Sequence, residues 1–227
     1  IAAGRPVDDA AFAGRAPLAP VGLTSVHLRK ISAEDFRVPA DAANERAVTG
    51  VVPGRIITER LSRSLPVEAG AVAADPAQDV AKVAVVERHG RTGGIGRGFV
   101  SGFGLTRGAI ASSVGHDSHN ICVVGVDDAA MAIAVNRIAD LQGGFVVADE
   151  TGVTAELALP VAGLMSVEPF ETVRHALEEL RAAARALGCT LDEPFLQVAF
   201  LPLPVIPHLK ITDKGMFDVD RFALLDS

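Results

Sequence analysis

Near the middle of the chain a short polar string separates two apolar runs. Ala109-Ile110-Ala111-Ser112-Ser113-Val114 leads into it, and Ile121-Cys122-Val123-Val124-Gly125-Val126 leaves it. Between them stands His116-Asp117-Ser118-His119-Asn120. The pattern predicts two buried strands joined by a polar turn at the edge of a sheet. Five hydrogen-bonding side chains are unfavourable to bury without partners, so the turn faces either water or something it binds.

The remaining pattern supplies a scaffold. Residues 46–52 and 55–61 alternate as strands around a Pro53-Gly54 turn, 70–74 is a short strand, and 80–86 is a longer one. Gly-rich residues 90–99 then form a hairpin or lid. Their Gly94-Ile95-Gly96-Arg97-Gly98 string lacks the dinucleotide fingerprint spacing and precedes a strand-like run, not a helix N-terminus. Asp127 and Asp128 cap a helix through about Leu141, with Met131, Ala134, Val135, Ile138 and Leu141 as its apolar stripe. Residues 145–148 and 153–159 form a hairpin. A second helix runs from Glu168 to about Leu187, with Phe170, Val173, Leu177, Leu180, Ala184 and Leu187 on its stripe. His175 lies off that stripe as a surface residue.

Proline-studded residues 193–210 read as neither helix nor central strand, but as a segment lying across a surface. Prolines also break up residues 1–45, where only Ser32-Ala33-Glu34-Asp35 carries a helix-start signal, cut short by Pro39. The expected fold is α+β: a mixed, largely antiparallel sheet with the two main helices on one face. An extended arm (1–45), one domain (46–220) and a tail (221–227) divide the chain.

Composition narrows the function. The 227 residues carry a formal net charge of −7 and no Trp or Tyr, and no Lys/Arg block interrupts the acidic balance, which argues against nucleic-acid binding. No apolar run approaches a membrane span. Two cysteines, Cys122 and Cys189, in apolar or helix-end settings, fit a reduced, cytoplasmic protein.

His116 and His119, three apart with Asp117 between, are donor types suited to zinc or manganese. Residues of one tight turn seldom all face one ion, so a complete site would need His89 from the loop around Glu87-Arg88-His89. The competing reading is structural: Asp117 and Asn120 cap the turn and the histidines pair with them. Ser112, Ser113 and Ser118 lie near histidines but show no nucleophile-elbow pattern, and no His-x-His or Cys-x-x-Cys occurs.

Val85-Val86-Glu87-Arg88-His89, the run 102–114, His116-Asp117-Ser118-His119-Asn120, Asn136-Arg137, Gly143-Gly144, residues 159–166 and Leu203-Pro204-Val205-Ile206-Pro207 together resemble the C-terminal part of bacterial adenine deaminases of the amidohydrolase superfamily. The likeness is collinear over roughly residues 20–220. It implies hydrolysis of adenine to hypoxanthine and ammonia by a hydroxide on manganese, iron or zinc, held in a (β/α)8 barrel absent from this chain. On that reading Ile1 starts the C-terminal region of a longer enzyme, inactive alone. Its expected partners are purine, the barrel domain and further copies in a homo-oligomer. His116, Asp117 and His119 become accessory catalytic candidates: the histidines as purine hydrogen-bond partners or further metal ligands, Asp117 as their orienter. Glu87, Arg88, His89, Ser118 and Asn120 become substrate-binding candidates, with Arg88 pairing to Glu87. Two alternatives stand beside this one: a structural or oligomerisation module, and a self-sufficient hydrolase built on a His89, His116 and His119 metal site.

Overall fold

A computed structural model of the protein describes residues 21–41 and 45–225. The first 20 residues of the expected arm, residues 42–44 and the last two residues of the expected tail lie outside that description. The expected class holds: the chain forms a mixed α and β structure around a largely antiparallel sheet.

Eight strands build the main sheet. In chain order they are β1 (Glu45–Val51), β2 (Thr58–Ser64), β3 (Val80–Val86), β4 (Ile95–Ser101), β5 (Ala109–Ser112), β6 (Ile121–Gly125), β7 (Gly144–Asp149) and β8 (Gly152–Ala158). Their spatial order is β8-β7-β5-β6-β3-β4-β1-β2. Every pairing is antiparallel except that of β1 with β4, where Val48, Thr49 and Gly50 pair with Phe99, Val100 and Ser101. Strand β3 is buried along its whole length, which requires cover on both sides of the sheet. Alternate side chains separate accordingly. Val83 and Val85 join one core with Cys122, Val124, Ile110 and Val147; Ala84 and Val86 join another with Ile121, Val123, Ala109 and Ala111.

This two-sided burial corrects the expected helix placement. Helix α1 (Asp128–Asp140) covers the second core through Ala130, Met131, Ala134, Val135 and Ile138. The second main helix, α2 (Phe170–Ala186), lies on the opposite face, where Leu180 and Ala184 enter the first core. Phe170, expected on its stripe, is exposed. The N-terminus of α1 is fixed twice over. Asp127 Oδ1 accepts from Ala130 N at 2.7 Å, and the buried Lys82 ammonium reaches both carboxylate oxygens of Asp128 at 2.6 and 2.8 Å.

The proline-rich region is more regular than its sequence suggests. Pro194 takes the first position of a helix, α3 (Pro194–Phe200), where its missing N–H goes unused. Strands β9 (Leu209–Thr212) and β10 (Gly215–Asp218) then form a hairpin. That hairpin explains the glycine string: a Cβ on Gly96 would overlap the Thr212 carbonyl oxygen, and one on Gly98 the Met216 sulfur. Both glycines lie in β4 and admit a neighbouring layer; they belong to no phosphate loop.

The described part of the arm packs on its own domain. Val26, Ile31 and Phe36 are buried in the α1-side core. Asn136 brackets Ile31 with bonds of 2.9 and 2.8 Å to its N and O, and Gln142 does the same for Val26 at 3.2 and 3.4 Å. Ser32 opens a single 3-10 turn, Ala33–Phe36, in a capping box with Asp35.

Candidate functional site

The polar turn sits where the sequence places it, between β5 and β6. Its backbone is held from behind by Arg88, which is only 2 % exposed. The guanidinium donates through Nε to the His119 carbonyl, through Nη1 to the Ser25 carbonyl and hydroxyl (both 3.0 Å), and through Nη2 to the Ala162 carbonyl (2.9 Å). Asn120, also buried, accepts from Arg88 N at 3.3 Å. Three segments distant in sequence thus converge on one cation. Among the described residues no carboxylate pairs with it, and burial pulls its pKa below the usual value.

Glycine at 163 makes room for this node: with φ at +73°, a Cβ there would lie 2.7 Å from Arg88 Nη1. Ser113 completes the frame, its hydroxyl donating to the Gly163 carbonyl at 2.6 Å and accepting from Gly144 N at 2.8 Å. Ser112 is likewise spent on backbone, at 2.9 and 3.0 Å from Val114 N and O. Neither serine is free as a nucleophile.

The expected Glu87–Arg88 ion pair does not form. The Glu87 carboxylate accepts instead from the amides of His89 (2.6 Å), Arg91 (3.0 Å), Thr92 (3.1 Å) and Gly93 (3.2 Å). Burial opposes its ionisation, but those four amides outweigh it and hold the carboxyl below its ordinary pKa. Glu87 is the anchor of the β3–β4 turn.

What the turn offers outward is different. His116, Asp117 and Ser118 are exposed and His119 is half-buried. The His116 ring stacks on Phe200 at the end of α3, centroids 4.1 Å apart and planes 16° apart, while its amide donates to the Ala199 carbonyl at 3.1 Å. His89 Nε2 donates to the Ser118 carbonyl at 2.8 Å, so this nitrogen carries a proton. His119 occupies the left-handed region at φ +52°, and its Nδ1 accepts from Gly115 N at 3.4 Å. Burial lowers its pKa, with the charges of Arg88, His116 and His89 adding to the effect and Asp117 partly opposing it. The ring is therefore a neutral imidazole near pH 7 whose Nε2–H remains a donor.

Asp117, expected to orient the histidines, makes no hydrogen bond among the described residues and acts on His119 only through its charge. Nor do His89, His116 and His119 assemble a metal site: among the described residues no group of three or more His, Cys, Asp or Glu is placed to hold an ion. His89 and His119 each have a ring nitrogen engaged with backbone, and the Arg88 charge beside His119 disfavours a second cation. The donor set does not fit a metal. Ser25, Gly163 and Phe200 are the site residues sequence reasoning missed; only Gly163 had a signal, as a glycine within the family-like run 159–166. Both cysteines are buried, which pushes their thiols up and leaves them unreactive.

The described residues thus form a two-faced α+β domain whose imidazole-bearing turn is held from behind by Arg88 and Asn120. Residues 55–223 match the adenine deaminase C-terminal domain family model, and the chain belongs to that family. Among similar proteins, the adenine deaminase of Methylobacterium nodulans is 66% identical over 225 residues, covering 99% of this chain and 40% of the relative. Adenine deaminase 1 of Rhizobium johnstonii is 61% identical over 98% of this chain and 39% of its own length. Adenine deaminase 1 of Agrobacterium fabrum is 61% identical over 99% and 39%. The chain thus spans about two-fifths of the length of the relatives it matches. No described helix is long and apolar enough to cross a membrane.

Proposed function

We propose that this chain is the accessory domain of an adenine deaminase, and that its polar turn completes the purine site supplied by the rest of the longer enzyme. The observation that carries this reading is the division of labour in the turn. Arg88, Asn120 and Ser113 fix the backbone, while His116, Asp117 and Ser118 are left exposed. A purine presents ring-nitrogen lone pairs, and the neutral His119 Nε2–H is a matching donor. His116, splinted on Phe200, offers a second imidazole close by. Closing such groups over the ring would exclude bulk water and strengthen the electrostatics at the reacting carbon. On this reading the remainder of the longer enzyme would hold the divalent metal that supplies an activated water, and this chain alone is inactive. Its partners are the purine, the remainder of the enzyme and further enzyme copies in a homo-oligomer in the cytoplasm.

The test is adenine-to-hypoxanthine turnover with manganese, iron or zinc added. It compares the isolated chain with a chimaera in which this chain replaces the matched 225 residues of the Methylobacterium nodulans enzyme. The isolated chain is expected to be silent and the chimaera active, with His119→Ala lowering kcat/KM by about tenfold or more, the loss of one substrate hydrogen bond. Turnover by the isolated chain, or unchanged kinetics in His116→Ala and His119→Ala chimaeras, would refute the reading.

A further inference from the structure

Large apolar side chains near the polar turn are left exposed among the described residues. Phe170 is 76% exposed, Met165 58%, Val167 56% and Leu23 39%, although Phe170 sits in register with the buried stripe of α2. Met165, Val167 and Phe170 fall within six consecutive residues leading into α2, and three contacts tie Leu23, the 161–165 loop and the polar turn together. Gly22 O accepts from Ala162 N at 2.9 Å, which lays Leu23 beside the 161–165 loop. Val161 bridges to Met165 within that loop. The Ala162 carbonyl is also the one that Arg88 Nη2 holds, so the loop under the apolar surface and the turn bearing His116 and His119 share an anchor. Exposed large apolar side chains grouped beside a polar site mark a contact face.

We propose that the face formed by Leu23, Met165, Val167 and Phe170 seats the catalytic remainder of the longer adenine deaminase chain, docking it against the polar turn. The proposal rests on the reading above and adds the surface that brings the two parts together. The length of the relatives supplies the occupant, since about three-fifths of each lies outside the match. Topology supplies the place. Val21, itself 82% exposed, precedes Gly22, so the described chain enters the domain beside this loop. A tether raises the effective concentration of an attached domain at adjacent surface far above that of a free partner. Burying four large apolar side chains supplies the favourable free energy, and the neighbouring turn supplies the chemistry.

Methionine oxidation reads this directly, because hydrogen peroxide transfers an oxygen atom to an accessible thioether, giving the sulfoxide and water. The chain has three methionines, and Met131 and Met216 are buried. In the isolated chain Met165 should oxidise at least about tenfold faster than Met131, at a rate independent of protein concentration. In the Methylobacterium nodulans chimaera Met165 should slow by about tenfold. A Val167→Glu, Phe170→Glu chimaera should regain the fast rate while Met131 stays slow, which shows that the fold is intact. A chimaera that deaminates adenine with Met165 as reactive as in the isolated chain overturns the docking face and leaves the functional reading standing. Protection of Met165 without turnover supports the face and refutes that reading. Concentration-dependent protection in the isolated chain makes the occupant a second copy and overturns the proposal.

Discussion

Glu87 and Arg88 are adjacent, opposite in charge and both buried, yet they solve burial in contrary ways. Glu87 takes four amides from the six residues that follow it, so its turn is closed on itself. Arg88 takes carbonyls at positions 25, 119 and 162, so its bonds organise other segments and leave their side chains free. The first turn spends its polar groups on its own shape. In the second, the shape is supplied from behind, and the histidines remain available. That contrast makes Glu87, a substrate-binding candidate in the sequence, the anchor of its own turn, and leaves the His116 and His119 side chains for the role proposed above.

The comparison breaks most severely at Arg88. Arg88→Met leaves carbonyls buried without donors and should destabilise the chain by about 3 kcal/mol in urea titration. It should also release His119 from the left-handed conformation that Arg88 Nε holds, moving its NMR shifts. Glu87→Gln comes next, at about 2 kcal/mol near neutral pH, because an NH2 group would face amides that now meet carboxylate oxygen. The sign of its pH dependence follows from the lowered folded pKa: the ionised form stabilises the chain above the unfolded value of about 4.3, and that contribution is lost as pH falls through the folded pKa. The gap between parent and variant should therefore close in acid, whereas the Arg88→Met gap should not.

Gly163→Ala sharpens the same contrast at lower amplitude. The new Cβ meets the Arg88 guanidinium in a backbone conformation unfavourable to alanine, for a loss of about 1 kcal/mol or more, with the Glu87 turn untouched in hydrogen exchange. The smallest effect belongs to His119. Its folded pKa lies below the unfolded value of about 6.5, so its contribution is present above that pH and lost as pH falls through the folded pKa. His119→Asn tolerates the left-handed backbone and should flatten the acid-side stability slope by less than about 1 kcal/mol.

The parts of the molecule that were legible are those governed by local period. Strand β3 lies where its apolar run lies, α1 begins at its Asp127 cap, and the polar turn falls between β5 and β6. Helix placement was not legible, because a strand buried on both faces gives no alternation from which to choose a side. Pro194 looked like a breaker because a proline at the first position of a helix has the same letter as one that ends it. Within the site, the side chains were visible as residue types, but their fixing was not. The acceptors that hold Arg88 are mostly backbone carbonyls, which every residue carries and no sequence pattern marks.

The Arg88 node also bears on how the chain assembles. Its bonds close sequence separations of 63, 31 and 74 residues, and the full set forms only when the arm, β5–β6 and the 161–165 loop have all arrived. Contacts of such span carry a large loop-closure entropy and belong late in folding, after hairpins such as β3–β4 and β7–β8. The histidines consequently acquire their geometry only when the surrounding domain is finished. An unfinished or frayed domain would leave the His119 carbonyl without its Arg88 donor, so order in the turn reports on the completeness of the fold around it.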